Sequence, residues 1–280
     1  MKPSPKSEAN RTGPLLRVAS LSKDYVQRRT FSRTEFTVNA FEDVDLELFS
    51  GQTLALVGES GAGKSSLARC IALLEHPDSG EIELEGENLL EFNRKARFRI
   101  RRRVQMIFQE PASALNPMLT ACEIIAEPLV IQREGTQLQR RQRALQLMEQ
   151  VGLDADWERK RPFEFSGGQR QRLAIARALT LKPSVLIFDE ALSNLDAPNQ
   201  SLILELLGEL QVSHSLAYLH ISHDLRLVSQ FADEVAVMYQ GRIVEHQKTH
   251  DLFGSPEHSY TKELLATVHS VESILLERSA

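Results

Sequence analysis

No apolar run among the 280 residues approaches the ~20 needed to cross a bilayer, so any link to a membrane has to go through another protein. The opening "MKPSPKSEANRTGP" lacks the hydrophobic centre of a secretory signal, and none is expected. Cysteine is scarce. Cys70 and Cys122 sit in apolar-periodic segments without metal-ligand spacing, which points to two buried packing residues in a reducing cytoplasm and away from a disulfide or zinc framework. No excess of one charge sign is present either: 33 Lys and Arg against 38 Asp and Glu give a net charge of −5. That balance offers no electrostatic reason to expect nucleic acid or an anionic surface as the main partner. Internal repeats and low-complexity tracts are missing too.

What is present is enough apolar residue, 42%, to fill the core of one large domain or of a core with subdomains. Residues 1–14 read as a loose polar tail. Between residues 15 and 48, segments such as "DVDLELF" alternate apolar and polar side chains as half-buried antiparallel strands do. "TLALVG" is a continuous apolar run, fitting a strand buried on both faces, and "GKSSLARCIALLE" follows with helical period. "GEIELEG" and "VQMIFQ" read as further strands, whereas "CEIIAEPLVIQ" and "QRRQRALQLMEQVGL" carry helical spacing. Next come the strand "SVLIFDE", the helix "QSLILELLGELQ", the strand "LAYLHIS", a short helix at "LRLVSQFA" and the strands "EVAVMYQ" and "GRIVEH". Strand–helix alternation of this kind predicts an α/β fold with a mainly parallel sheet. An N-terminal antiparallel β subdomain and a helical insert are expected to accompany it.

The chemistry concentrates at two strand ends. "GESGAGKS" matches G-x-x-x-x-G-K-[ST] and lies between a buried strand and a helix, the context that motif needs. Its residues Gly58, Glu59, Ser60, Gly61, Ala62, Gly63, Lys64 and Ser65, with Ser66 after them, form a loop whose backbone N–H groups suit phosphates. Lys64 supplies a point charge for the β and γ phosphates, and the Ser65 hydroxyl suits Mg²⁺. "VLIFDE" is a buried strand that delivers Asp189 and Glu190 at the sheet edge. Two carboxylates there can form a solvated turn; beside a phosphate loop they suit Mg²⁺ binding through Asp189 and water activation by Glu190.

A third segment, "FSGGQRQRLAIARAL", opens a helix with Ser166, Gly167, Gly168 and Gln169 and no lysine. Its first N–H groups suit one side of an anion held from elsewhere, and an N-cap role for Ser166 is compatible with that. "GESGAGKS", "FSGGQ", "VLIFDE", "SNLD" and "ISHD" resemble, in order and approximate spacing, the motifs of the nucleotide-binding subunits of ABC transporters. The resemblance implies a cassette over residues 15–265 with a helical insert at about 115–165, followed by a helical tail over 266–280. It implies ATP and Mg²⁺ as cofactors, and a second ATPase subunit, stacked head to tail, whose bound γ-phosphate meets Ser166, Gly167, Gly168 and Gln169. It further implies that Gln109 reaches the metal and the attacking water, that His223 contacts the γ-phosphate, that Asp196 couples the two sites, and that Tyr25 stacks on adenine. Taken from residue type alone, a lone glutamine in a loop or a histidine at a strand end would be unremarkable.

Ala191 stands where this family usually has proline, Asn194 where alanine is common and Phe165 where leucine is more frequent; none removes a reacting group, so an active ATPase is expected. The run "RKARFRIRRR" reads as a solvated or partner-facing surface, with no nucleic acid expected. "FQEPASALNPMLT" and "GSPEHSYTKELLATV" look like the peptide and nickel importers. That likeness implies membrane permease subunits as partners, an extracytoplasmic solute-binding protein acting through them, and a peripheral place on the cytoplasmic face of the inner (plasma) membrane. No cysteine follows Cys122, so the cysteine-rich tail of many such subunits is not expected. Two other readings compete: a soluble ATPase of the same family not coupled to transport, and a binding-only regulator. Intact Lys64, Asp189, Glu190 and His223 weigh against the second.

Overall fold

The computed structural model describes residues 13–28, 35–193 and 195–266. Most of the 1–14 tail, the 266–280 tail beyond its first residue, and Asn194 therefore lie outside the described residues. Two long strands, β1 (Leu16–Arg28) and β2 (Glu35–Leu48), pair antiparallel. After β3 (Thr53–Val57) and α1 (Lys64–Ile71), β4 (Ser79–Leu84) and β5 (Glu87–Asn88) join them in a sheet of order β2-β1-β4-β5. α2 (Arg94–Ile100), β6 (Val104–Ile107), α3 (Pro111–Ala114), α4 (Ala121–Ile131) and α5 (Gln137–Gln150) follow, and two 3-10 turns lead to α6 (Gly167–Leu179). The chain then alternates through β7 (Val185–Asp189), α7 (Ala197–His214), β8 (Ala217–Ile221), α8 (Leu225–Phe231) and β9 (Glu234–Tyr239). It closes with β10 (Arg242–Lys248), α9 (Thr249–Gly254) and a helical stretch at 259–266.

The second sheet runs β10-β9-β3-β8-β7-β6, parallel throughout except for β10 at one edge. Alternation of side chains along its central strands explains their unbroken hydrophobicity. Leu54, Leu56, Val185 and Ile187 face a cluster with α1 and the antiparallel sheet. Leu186, Phe188 and Tyr218 face the helices of the insert and α6 and α7, and Ala55 and Val57 face α8 and the 259–266 stretch. Each strand is thus covered on both sides. Phe188 and Tyr218 meet edge to face at 5.4 Å, locking β7 to β8 close to the end that carries Asp189.

Helices α4, α5 and α6 start in the same way. Thr120 with Glu123, Thr136 with Gln139, and Ser166 with Gln169 each form a reciprocal capping box, satisfying two otherwise orphaned N–H groups apiece. Arg177 of α6 pairs with Glu127 of α4 at 2.8 Å, so the helix that Ser166 starts is tied to the insert.

Two local expectations change. β6 ends at Ile107, so Gln109 sits two residues past the strand. Phe108 is exposed and lengthened the apolar run without joining the ladder. Cys70 is buried, but Cys122 is only half-buried, in a groove between α4 and α5. The arginine run lies at the surface, with Phe98, Arg99 and Arg101 exposed, and several of its members also bond within the chain: Arg97 donates to Phe92 O, Arg101 to Leu73 O, Arg102 pairs with Glu134, and Arg103 with Glu85 and Glu87.

Candidate functional site

Four parallel strands deliver their C-terminal ends to one edge of the sheet, and each carries a singled-out residue there. β3 runs into the glycine loop, β7 ends on Asp189, His223 follows β8 by two positions and Gln109 follows β6 by two. Ligands of open α/β sheets sit at such an edge.

The loop is shaped by residues without a Cβ. Gly58 has φ +148° and Gly63 φ +105°; a Cβ would lie 2.1 Å from Met238 O at the first and 2.2 Å from Ala40 O at the second. Both positions demand glycine on conformation and on space. Lys64, at the start of α1, is 5% exposed and donates to Gly58 O and Glu59 O at 2.7 Å each. An ammonium has three N–H donors, and the third has no partner among the described residues. Burial lowers the Lys64 pKa, while Glu190, Asp189 and Glu59 work to raise it. The site therefore keeps a desolvated cation with a donor to spare.

Ser65 Oγ donates to Asp189 Oδ1 at 2.8 Å. Burial raises the Asp189 carboxyl above its usual range, and the Ser65 bond opposes that shift. Next to it, Glu190 has φ +50°, a left-handed backbone that costs a side-chain-bearing residue of order 1–3 kcal/mol. Its N–H is held by Ile221 O at 3.0 Å, across to β8. That strained turn aims one carboxylate oxygen: Glu190 Oε2 accepts from Gln109 Nε2 at 3.0 Å and lies 3.4 Å from His223 Nδ1. Two residues from widely separated parts of the sequence, Gln109 and His223, converge on one carboxylate oxygen of Glu190.

Tyr25 lies on β1, its hydroxyl bonded to Glu75. Burial and that bond raise its pKa, and the Ser66 side chain, just beyond the loop, opposes them. This sets the ring beside the start of α1.

Ser166 to Gln169 and Asp196 are not brought to this cluster by any hydrogen bond among the described residues. Ser166 Oγ accepts from Gln169 N at 3.3 Å, and Gln169 Oε1 accepts from Ser166 N at 2.9 Å. The N–H groups of Gly167 and Gly168 have no acceptor among the described residues. Asp196 caps α7 locally, accepting from Asn199 N at 2.9 Å and Asn199 Nδ2 at 2.8 Å. That same Asn199 abuts the signature-like helix: a Cβ on Gly168 would lie 2.9 Å from Asn199 Oδ1. The two segments thus form a second locale of their own.

Two residues at the site escaped the sequence. Asn199 carries no local signal beyond its place three residues after a capping Asp. Tyr260, whose hydroxyl accepts from Glu59 N at 2.9 Å, is visible only as part of "GSPEHSYTKELLATV".

The family described as ABC transporter matches residues 41–193, and the chain belongs to it. Among curated relatives, the dipeptide transport ATP-binding protein DppF of Haemophilus influenzae is 42% identical over 93% of this chain and 80% of its own. The oligopeptide transport ATP-binding protein OppF of Bacillus subtilis is 42% identical over 92% of this chain and 83% of its own. Among solved structures, a dimeric ATP-binding cassette, MJ0796, in a post-hydrolysis state with ADP and Pi superposes with a TM-score of 0.73 at 26% identity. That match covers 84% of this chain and 98% of the cassette. The chain is accordingly an ATP-binding and ATP-hydrolysing subunit that energises an ABC transporter. Its α/β architecture is that of the P-loop NTPases.

Proposed function

We propose that ATP is bound by Gly58 to Ser66 and hydrolysed with Glu190 as the group that polarises the attacking water. The convergence of Gln109 and His223 on Glu190 Oε2, beside the Ser65–Asp189 pair, carries this reading. Lys64 gives its remaining N–H to the β and γ phosphates, and Tyr25 stacks on the adenine. Gln109 orients Glu190 and the water, and His223 contacts the γ-phosphate.

The oxygen donors Ser65 Oγ, Asp189 and the Gln109 side-chain carbonyl fit Mg²⁺, which takes few protein ligands and completes its shell with water and phosphates. No group of three or more His, Cys, Asp or Glu among the described residues makes a self-sufficient metal cage, and that cation needs none. Bound there, Mg²⁺ would neutralise charge on the transferring phosphoryl group.

The remaining free donors belong to the second locale. Gly167 and Gly168 N–H, with Ser166 and Gln169, close the site of a second subunit in a head-to-tail dimer, and Asp196 links the two sites. The working cassette spans residues 15–265 with the helical insert at about 115–165. Among the described residues no helix is long and apolar enough to cross a membrane. Membership of the transporter family, and the transport subunits among its relatives, support docking on permease partners at the cytoplasmic face of the inner membrane. The names of the relatives support peptides or similar small solutes as cargo, delivered by an extracytoplasmic binding protein.

Glu190→Gln tests the assignment. ATP binding is expected to persist while hydrolysis slows by about 10²–10⁴-fold, the usual scale for removing a general base. Turnover within a few-fold of wild type would remove Glu190 from the catalytic role.

A further inference from the structure

The Gly58–Glu59 peptide unit is gripped from both edges. Its carbonyl accepts from Lys64 Nζ at 2.7 Å, and its N–H donates to the Tyr260 hydroxyl at 2.9 Å. Because a peptide unit is planar, these two bonds fix one plate in one orientation. The next carbonyl, Glu59 O, also accepts from Lys64, so the orientation of this plate decides where the ammonium sits.

Tyr260 is itself firmly seated. It is 7% exposed and stacks on Tyr239 at 4.1 Å between ring centroids. The turn leading into it is anchored on buried Glu245 of β10, whose two carboxylate oxygens accept from Glu257 N at 2.8 Å and His258 N at 3.0 Å. Leu265, five residues on, packs with Ala55 and Val57 of the strand that feeds the loop. From the other direction, Gly58 is wedged against Met238 O. The loop's first peptide is thus bounded by Met238 behind Gly58, by Lys64 at its carbonyl and by Tyr260 at its N–H.

We propose that Tyr260 is a positioning residue for nucleotide binding: its hydroxyl holds the Glu59 amide so that Gly58 and Glu59 present their carbonyls to Lys64 and leave one ammonium N–H for phosphate. The inference rests on the phosphate-loop assignment above. It gives the "EHSYT" segment a task in ATP affinity, set from outside the glycine loop.

Tyr260→Phe keeps the ring and its stacking and deletes only the oxygen. The partly buried Glu59 amide loses its partner, and the Kd for ATP is expected to rise about tenfold, within the range for a lost hydrogen bond. Turnover at saturating ATP should stay within about twofold, since no reacting group is touched. Leu265→Ala serves as a comparison that loosens the same helix without removing the hydroxyl. A Kd rise in Tyr260→Phe that exceeds the rise in Leu265→Ala at similar loss of Tm supports positioning. An unchanged Kd, or equal rises in the two variants, overturns it. Lys64→Ala, run alongside, separates the two levels: if it binds ATP like wild type, the phosphate-loop assignment falls and this inference with it. If it loses binding while Tyr260→Phe does not, only the role of Tyr260 falls.

Discussion

His220 and His223 stand three positions apart and live in opposite worlds. His223 is half-exposed beside Glu190. His220, on β8, is fully enclosed, edge-on to Phe188 and Phe231, and neither ring nitrogen has a partner among the described residues. Burial drives its pKa down to about 4. In the unfolded chain the same imidazole takes a proton near 6.5. The folded state therefore holds its full stability above about pH 6.5 and loses it as the pH falls toward 4, by on the order of 3 kcal/mol across that window. Replacing His220 with Phe removes both the unpaired nitrogens and the titration. Stability at pH 7 should rise by about 1–2 kcal/mol, and the decline between pH 6.5 and 4 should shrink. Denaturant melts at pH 7 and pH 5 measure both, and an undiminished decline would mean its source lies elsewhere.

At the scale of elements, α6 shows how much one short segment does. S-x-x-Q is a capping box in plain sight, and the structure forms it; the glycines inside it serve no purpose for the helix itself. That asymmetry makes them testable. A Cβ at Gly167 meets nothing within 4 Å, whereas one at Gly168 meets Asn199 Oδ1 at 2.9 Å. Gly167→Asp is thus the cleaner probe, and an acidic side chain in the first turn even favours the helix by about 0.3–1 kcal/mol. The variant should fold and bind ATP as a monomer, yet fail to dimerise on ATP, because its carboxylate opposes a γ-phosphate across the interface. Light scattering reads the association; dimers of wild-type strength would sink the proposed trans contact.

The strands buried on both faces, the N-cap at Ser166 and the glycine loop were legible because each is written in contiguous residues. Less was legible where a feature depends on what lies across the fold. Phe108 continued an apolar run with no strand left to join, and Cys122 followed a helical period into a groove. Glu190 gives no hint in its neighbours that its backbone is left-handed. The Tyr260–Glu59 bond spans 201 positions, beyond the reach of any local pattern.

For the molecule as a whole, purification from solubilised membranes is the decisive observation. Permease chains and an ATPase partner, the same or homologous, should travel with the subunit. Recovery with ribosomes or nucleic acid instead, and none of those chains, would favour the soluble-ATPase alternative.

The sheet order carries one more consequence, in the timing of synthesis. Leu54 of β3 pairs with Leu219 on one side and Glu234 on the other, so the strand that bears the glycine loop is made early and finds its neighbours late. At about 5–20 residues per second, the wait is on the order of ten seconds or more. Throughout it, an apolar strand destined to be covered on both faces has no partner strand beside it. The nascent chain is at its stickiest then, and the nucleotide site is among the last parts of the molecule to close.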